Sequence, residues 1–149
     1  MKNALKLLHR IAKIREDQTV SQFKKYNAQL QQAEDFNQQI TSYVQEYERQ
    51  MVETAKQGAT VAYLQDSTTF RNRLTAGAQE QQQQIDGLNF ATQQAKQQAI
   101  EAKLRAEGIQ KVIAKKEAEV QKRRQAIERS ELDDAYAVRH KGGSGTEDA

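Results

Sequence analysis

The chain has no cysteine, no proline, no tryptophan and only two histidines in its 149 residues. Without cysteine there is no disulfide, no thiolate nucleophile and no Cys-ligated zinc. His9 and His140 lie far apart in sequence, and neither stands in a metal-ligand spacing. No nucleophile–base pair or phosphate loop is apparent, and Gly142-Gly143-Ser144-Gly145 lacks the Lys-Ser/Thr of a P-loop. The expectation is therefore a protein that is not an enzyme and uses no cofactor or metal. No apolar run approaches the roughly eighteen residues a membrane span needs. The basic N-terminus (Lys2, Lys6, Arg10, Lys13) has charges breaking every apolar run, unlike a secretory signal peptide.

Apolar residues are also scarce, at 37%. Ordinary globular domains hold about 45–50%, so a large round core is not expected. Extensive disorder is not expected either, because seven glycines and no proline leave few chain breakers and apolar residues recur at a helical period. What is present is Ala, Glu, Lys, Arg, Leu and above all Gln, with 23 residues, a composition that suits long helices burying a narrow seam.

The clearest break is Gln57-Gly58-Ala59-Thr60. Gly58 suits the left-handed position that ends a helix, Lys56 places a cation in the last turn, and Thr60 suits the N-cap of the next helix. The expected fold is all-α: a long antiparallel two-helix coiled coil. One helix spans about 3–56, a turn 57–60 and a second helix about 61–140, with a disordered tail over 141–149.

Both helices carry seams. In the first, Phe23, Tyr26, Leu30, Ala33, Asn37, Ile40, Val44, Tyr47 and Met51 alternate in steps of three and four, with Asn37 the one polar member. Leu7, Ile11 and Ile14 form an upstream stripe out of phase with it, as a stutter near residues 15–19 would produce. In the second, Ile85, Leu88, Thr92, Ala95, Ala99, Ala102, Ala106, Ile109 and Ile113 follow the same alternation. A four-residue connection forces the helices antiparallel. Facing residues then have numbers adding to about 117, so that Phe23 faces Ala95, Leu30 faces Leu88 and Leu8 faces Ile109. At about 1.5 Å per residue the helices span roughly 80 and 120 Å, so residues beyond about 116 overhang without a partner. Gly77, Gly87 and Gly108 inside the second helix read either as local looseness or a kink, or as close approach of another backbone. The stretch Gln79–Gln84 reads as a solvated face.

Beside the first seam, Phe36, Ile40, Tyr43 and Tyr47 form a second stripe. Phe70, Leu74, Gly77 and Gln81 mirror it, each pair adding to 117. A two-stranded seam cannot bury this many aromatics on one side, which predicts a partly exposed aromatic patch of the kind that marks partner sites. The alternative is rings packed wholly between the helices.

Charge is segregated. Residues 1–15 hold five cations and no acid, residues 103–129 hold nine cations and four acids, and residues 16–102 hold seven cations and eleven acids. Antiparallel pairing brings the two basic segments to one end, which steers toward an acidic partner or remains a solvated basic helix.

These residues resemble the FliJ family of flagellar type III export proteins. The likeness covers roughly residues 4–140. It rests on the hairpin of unequal helices, on Ala33-Glu34 followed by Ile40, Tyr43 and Tyr47, on Phe70 with Leu74 after Gly58, and on Glu131-Leu132-Asp133-Asp134, which is similar to the family's acidic C-terminal signature. The resemblance implies a stalk-like coiled coil of the bacterial cytoplasm, peripheral to the inner membrane at the flagellar base. It would serve flagellum biogenesis, motility and chemotaxis. Its partners would be the export ATPase (FliI-like) with its regulator, the export gate protein FlhA and export chaperones; membrane contact would pass through the gate, and no nucleic acid is expected. The gate contact implied falls on Ile40, Tyr43, Tyr47, Phe70 and Leu74, with Phe36, Gly77 and Gln81 at its edges. At those three edge positions the family usually has Gln, Ala and His. The ATPase-ring end implied is basic: Lys6, Arg10, Lys13, Arg15, Lys111, Lys115, Lys116, Lys122, Arg123 and Arg124. Competing readings are a stalk protein of a virulence type III secretion system and a basic coiled coil that binds nucleic acid or a membrane surface. Against the last, the basic end has almost no aromatics for stacking bases, and the overhang is poorly amphipathic.

Overall fold

The computed structural model describes residues 2–144, with side chains through His140. It consists of two helices packed against each other, α1 (Lys2–Gln57) and α2 (Val61–Ser144), with no strand among the described residues. This is the all-α helical hairpin that the two seams predict. The expected 141–149 tail begins inside α2, which continues to Ser144, and residues 145–149 lie outside the described residues.

The turn forms where the sequence breaks. Gly58 has φ +97°, a left-handed conformation that L side chains rarely adopt, and its N–H donates to the Ala55 carbonyl at 3.3 Å. The Thr60 hydroxyl accepts from the Tyr63 N–H at 3.2 Å, and the Thr60 carbonyl accepts from the Leu64 N–H at 3.1 Å. Thr60 is thus the N-cap of α2, satisfying one of its orphan donors.

The chain divides into two compact units. One combines Met1–Lys13 with Leu104–Ala149, and the other is Ile14–Lys103. In the second, Tyr47 meets Phe70, Glu48 meets Arg71 and Asn37 meets Gln82. Residue numbers on α2 fall as those on α1 rise, so the helices are antiparallel, with Tyr47 and Phe70 on the expected pairing rule and the other two pairs within two residues of it.

The α2 seam lies where the periodicity puts it. Within Ile14–Lys103, Ile85, Thr92, Ala95, Ala99 and Ala102 are buried and Leu88 is half-buried. In the other unit Ala106 and Ile113 are buried and Ile109 half-buried. Alanine dominates this core, and no large side chain among the described residues is fully buried, as a narrow seam requires.

The beginning of α1 differs from the expectation. Leu5 and His9 are half-buried and Ala12 is buried in one unit, and Glu16 is half-buried and Thr19 buried in the other. These positions continue in alternating steps of four and three into Phe23, so the seam runs in register and has no stutter. Leu7, Leu8, Ile11 and Ile14 are instead 49–55% exposed, and Leu8 does not take the inward position expected opposite Ile109. The physical reason is that polar groups can occupy seam positions when the backbone satisfies them. The Thr19 hydroxyl donates to the Arg15 and Glu16 carbonyls at 3.0 and 2.9 Å, and the Thr92 hydroxyl donates to the Leu88 carbonyl at 2.6 Å. Asn37 is therefore not the only polar seam residue of α1. Its Nδ2 donates to Gln82 Oε1 at 3.3 Å, while its Oδ1 is buried without a protein partner.

A Cβ added at Gly77, Gly87 or Gly108 would have nothing within 4 Å. Close backbone approach is thus excluded there, and α2 passes through all three without interruption. In the stretch Gln79–Gln84 Gln81 is half-buried and the others are exposed, though Gln82 reaches across to Asn37.

Candidate functional site

The aromatic stripe lies in the Ile14–Lys103 unit and spans both helices. Ile40 and Tyr47 occupy seam positions of α1 and are half-buried. Phe36 and Tyr43 each precede a seam residue, Asn37 and Val44, and so sit on the flank of the interface. Phe36 is 53% and Tyr43 54% exposed. Phe70 precedes the half-buried Arg71 on α2, which places it on the matching flank at 42% exposure.

Three of these rings touch in series. Tyr43 stacks on Tyr47 with centroids 6.5 Å apart and planes at 23°, and Tyr47 meets Phe70 edge-on at 5.1 Å and 64°. Such geometry suits the ring quadrupoles and adds about 0.5–1.5 kcal/mol per pair beyond area burial. Tyr47, held between its two neighbours, ties the flanks of the two helices together. The outer faces of Tyr43 and Phe70 remain open, so the rings are not packed wholly between the helices. Leu74 is half-buried beside this cluster, Gln81 is half-buried, and Gly77 is exposed and contributes no side chain.

The rim is polar. Asp35, Gln38, Gln39, Ser42 and Glu46 join Tyr43 around an open depression of about 760 Å³. Glu46 pairs with Arg49 at 2.6 Å, and Glu48 reaches Arg71 across the helices at 3.9 Å. The flank thus has an aromatic centre and a polar, charged margin, a composition that protein interfaces favour.

The basic residues fall in two places. Lys6, Arg10, Lys13, Lys111, Lys115, Lys116, Lys122, Arg123 and Arg124 belong to the unit formed by Met1–Lys13 and Leu104–Ala149, and all are exposed. Arg15 belongs to the Ile14–Lys103 unit, also exposed. In the basic unit a cavity of about 280 Å³ is lined by Lys2, Leu5, Ile113, Lys116, Glu117 and Val120, where α1 begins beside α2.

Sequence reasoning did not place several exposed apolar groups. Leu7, Leu8 and Ile11 share the basic unit with Leu104 and Val112, all 45–61% exposed. Phe90 is 65% exposed on α2. The seam phase, carried from Phe23 back to Leu5, is the signal that locates the first group; nothing in the periodicity marks Phe90.

Among the described residues no helix is long and apolar enough to cross a membrane, and no group of three or more His, Asp or Glu is arranged to hold a metal ion. The fold and the flank define a helical-hairpin coiled-coil protein with a partly exposed aromatic cluster. The family model described as Flagellar FliJ protein matches residues 1–144, and the chain belongs to that family. Membership gives it a flagellar, export-related role of a non-enzymatic kind. No curated protein and no solved structure matches the chain.

Proposed function

We propose that this protein couples the flagellar export ATPase to the membrane export gate, using the aromatic flank as the gate contact and the basic unit as the ATPase contact. The observation that carries the reading is the ring series Tyr43, Tyr47 and Phe70, joined across α1 and α2 yet open on its outer faces. Ile40, Leu74 and Phe36 extend the same surface, and Gly77 and Gln81 lie at its edge. Exposed aromatics held rigid by one another lose little side-chain entropy on docking, which is why such groups dominate interface energetics.

The basic unit supports the second half of the reading. Its cations are exposed and clustered on two chain segments that pack as one unit, which favours an acidic, ring-lining surface. Export chaperones and the ATPase regulator are further partners of this reading, and its location is the cytoplasm at the flagellar base.

The test is capture of the cytoplasmic part of the gate protein and of the ATPase by the full chain. Tyr43→Ala with Phe70→Ala is expected to lower gate capture by tenfold or more, on the order of a hot-spot loss, and to abolish motility, with ATPase capture unchanged. Lys115→Glu with Lys122→Glu is expected to do the reverse. Gate capture and motility that survive the aromatic double substitution would refute the assignment of the flank.

A further inference from the structure

We propose that the seam face of α2 beyond α1 is a self-complementary pairing surface, and that its occupant is the same segment of a second copy of this chain, run antiparallel. α1 begins at Lys2, whereas α2 continues to Ser144. The seam of α2 is buried at Ala106 and Ile113. Continued in the same phase, it reaches Val120, Arg123, Ile127, Ser130, Asp134 and Ala137, all of them exposed. Val120 still lines a cavity with Lys2 and Leu5 of α1, so the interface formed with α1 runs on, from Arg123, into a face that no described residue of α1 covers.

The charges on this face are self-complementary on reversal, with Arg123 as far from one end as Asp134 is from the other. Let two copies lie antiparallel with the twofold axis between Glu128 and Arg129. Val120 then faces Ala137 of the second copy, Arg123 faces its Asp134, and Ile127 faces its Ser130. On the flank, Arg124 faces Glu131 of the second copy. The twofold axis repeats each pair, giving four opposite-charge pairs, a Val120–Ala137 contact at each end, and the Ile127 side chains of both copies near the centre.

The alternatives are penalised by charge. Sliding the pairing by one heptad in one direction sets Arg124 on its own copy in the second chain. Sliding it by one heptad in the other sets Glu131 on Glu131. Parallel pairing sets Arg123 on Arg123 and Asp134 on Asp134. Like charges directly opposed are destabilising, so a single register is selected, as flank charges select partners in coiled coils generally. The inward-facing Arg and Asp make the pairing weak, because few apolar groups are buried and each charge must find its partner. Pairing is thus expected to be reversible and dependent on concentration and salt.

The experiment is sedimentation velocity on the full chain over a dilution series from micromolar to near-millimolar, at low and high salt. The expected result is a monomer–dimer equilibrium whose dissociation constant rises about tenfold or more at high salt, the sum of four exposed ion pairs. Arg123→Asp with Arg124→Glu in one chain, and Glu131→Arg with Asp134→Arg in another, should each give monomer at every concentration. Mixed one to one, those two chains should pair as tightly as the wild type. Ile127→Asp should also abolish pairing. Helicity by far-UV circular dichroism should be unchanged throughout, since every substituted side chain is exposed. A wild-type chain that stays monomeric overturns the proposal, as does a charge-reversed chain that dimerises alone or a mixture that does not associate. The assay contains no ATPase or gate, so its failure is separable from failure of the coupling function.

Discussion

Replacing Gly87 and Gly108 by alanine should make the chain more stable, and by a calculable amount. Both lie inside α2, neither has a positive φ, and a Cβ at either would meet nothing within 4 Å. The substitution therefore adds no clash and leaves the seam untouched. It removes the extra backbone freedom that glycine has in the unfolded chain, which is worth about 0.8–1.0 kcal/mol per site in a helix interior. The two sites are some twenty residues, or roughly 30 Å, apart along the helix, so their effects should add. For a chain of this size each should raise the melting midpoint by about 2–4 °C. Gly87 belongs to the Ile14–Lys103 unit and Gly108 to the other. If the units melt separately, each substitution moves only its own transition; if they melt together, both move one midpoint. Urea and thermal melts followed at 222 nm decide this. Loss of stability at either site would refute the reasoning, because it would require a neighbour that the structure places out of reach. Gly77→Ala should stabilise equally while leaving capture of the gate unchanged, since alanine at the edge of the aromatic flank adds one methyl to an open surface.

The turn should respond in the opposite sense. Gly58→Ala forces an L residue to φ +97° and should cost about 1–2 kcal/mol, and Thr60→Ala removes the cap on Tyr63 N–H and should cost about 1 kcal/mol, both read from the same melts. Asn37→Leu removes a buried acceptor that has no protein partner and should raise stability by about 1–3 kcal/mol; a melt that shows a loss would mean that the Gln82 hydrogen bond matters more than the stranded oxygen.

The fold was legible because the strongest signals in this sequence are periodic. The steps of three and four from Ile85 to Ile113 are apolar almost without exception, and their burial follows directly. Gly58 and Thr60 each have a single physical role at a helix end, and each performs it. The first turns of α1 were not legible by the same rule. Leu7, Ile11 and Ile14 form the more apolar stripe, but the seam passes through His9, Glu16 and Thr19. Hydropathy alone follows the leucines and isoleucines. The correct phase is set by the long downstream seam, since a helix cannot change face without a break in its repeat, and Thr19 shows how the backbone makes a polar seam residue tolerable. The division into units near residues 13 and 103 is marked by no glycine or proline at either point, but it falls almost where the charge balance changes, at residues 15–16 and 102–103.

The aromatic flank was legible for a different reason, which also bears on what it is for. A residue that directly precedes a seam position in a two-helix coil is half covered whatever its identity, because only one neighbouring helix is there to cover it. On α1 those positions include Gln22, Gln29, Phe36, Tyr43 and Gln50, and on α2 Phe70, Gly77, Gln84 and Gln98. Glutamine is the usual occupant, as expected for a boundary that must stay hydrated. Aromatics replace it at three positions in one stretch, where Phe70 meets Tyr47 and Tyr47 meets Tyr43. Coil stability does not require them there, since half-exposed rings bury little of their area and the same positions elsewhere do without. A cluster confined to one stretch, spanning both helices and open to solvent, is instead what the proposed gate contact requires. The low aromatic content of the chain makes that concentration informative, because rings scattered for packing would follow the seam along its length.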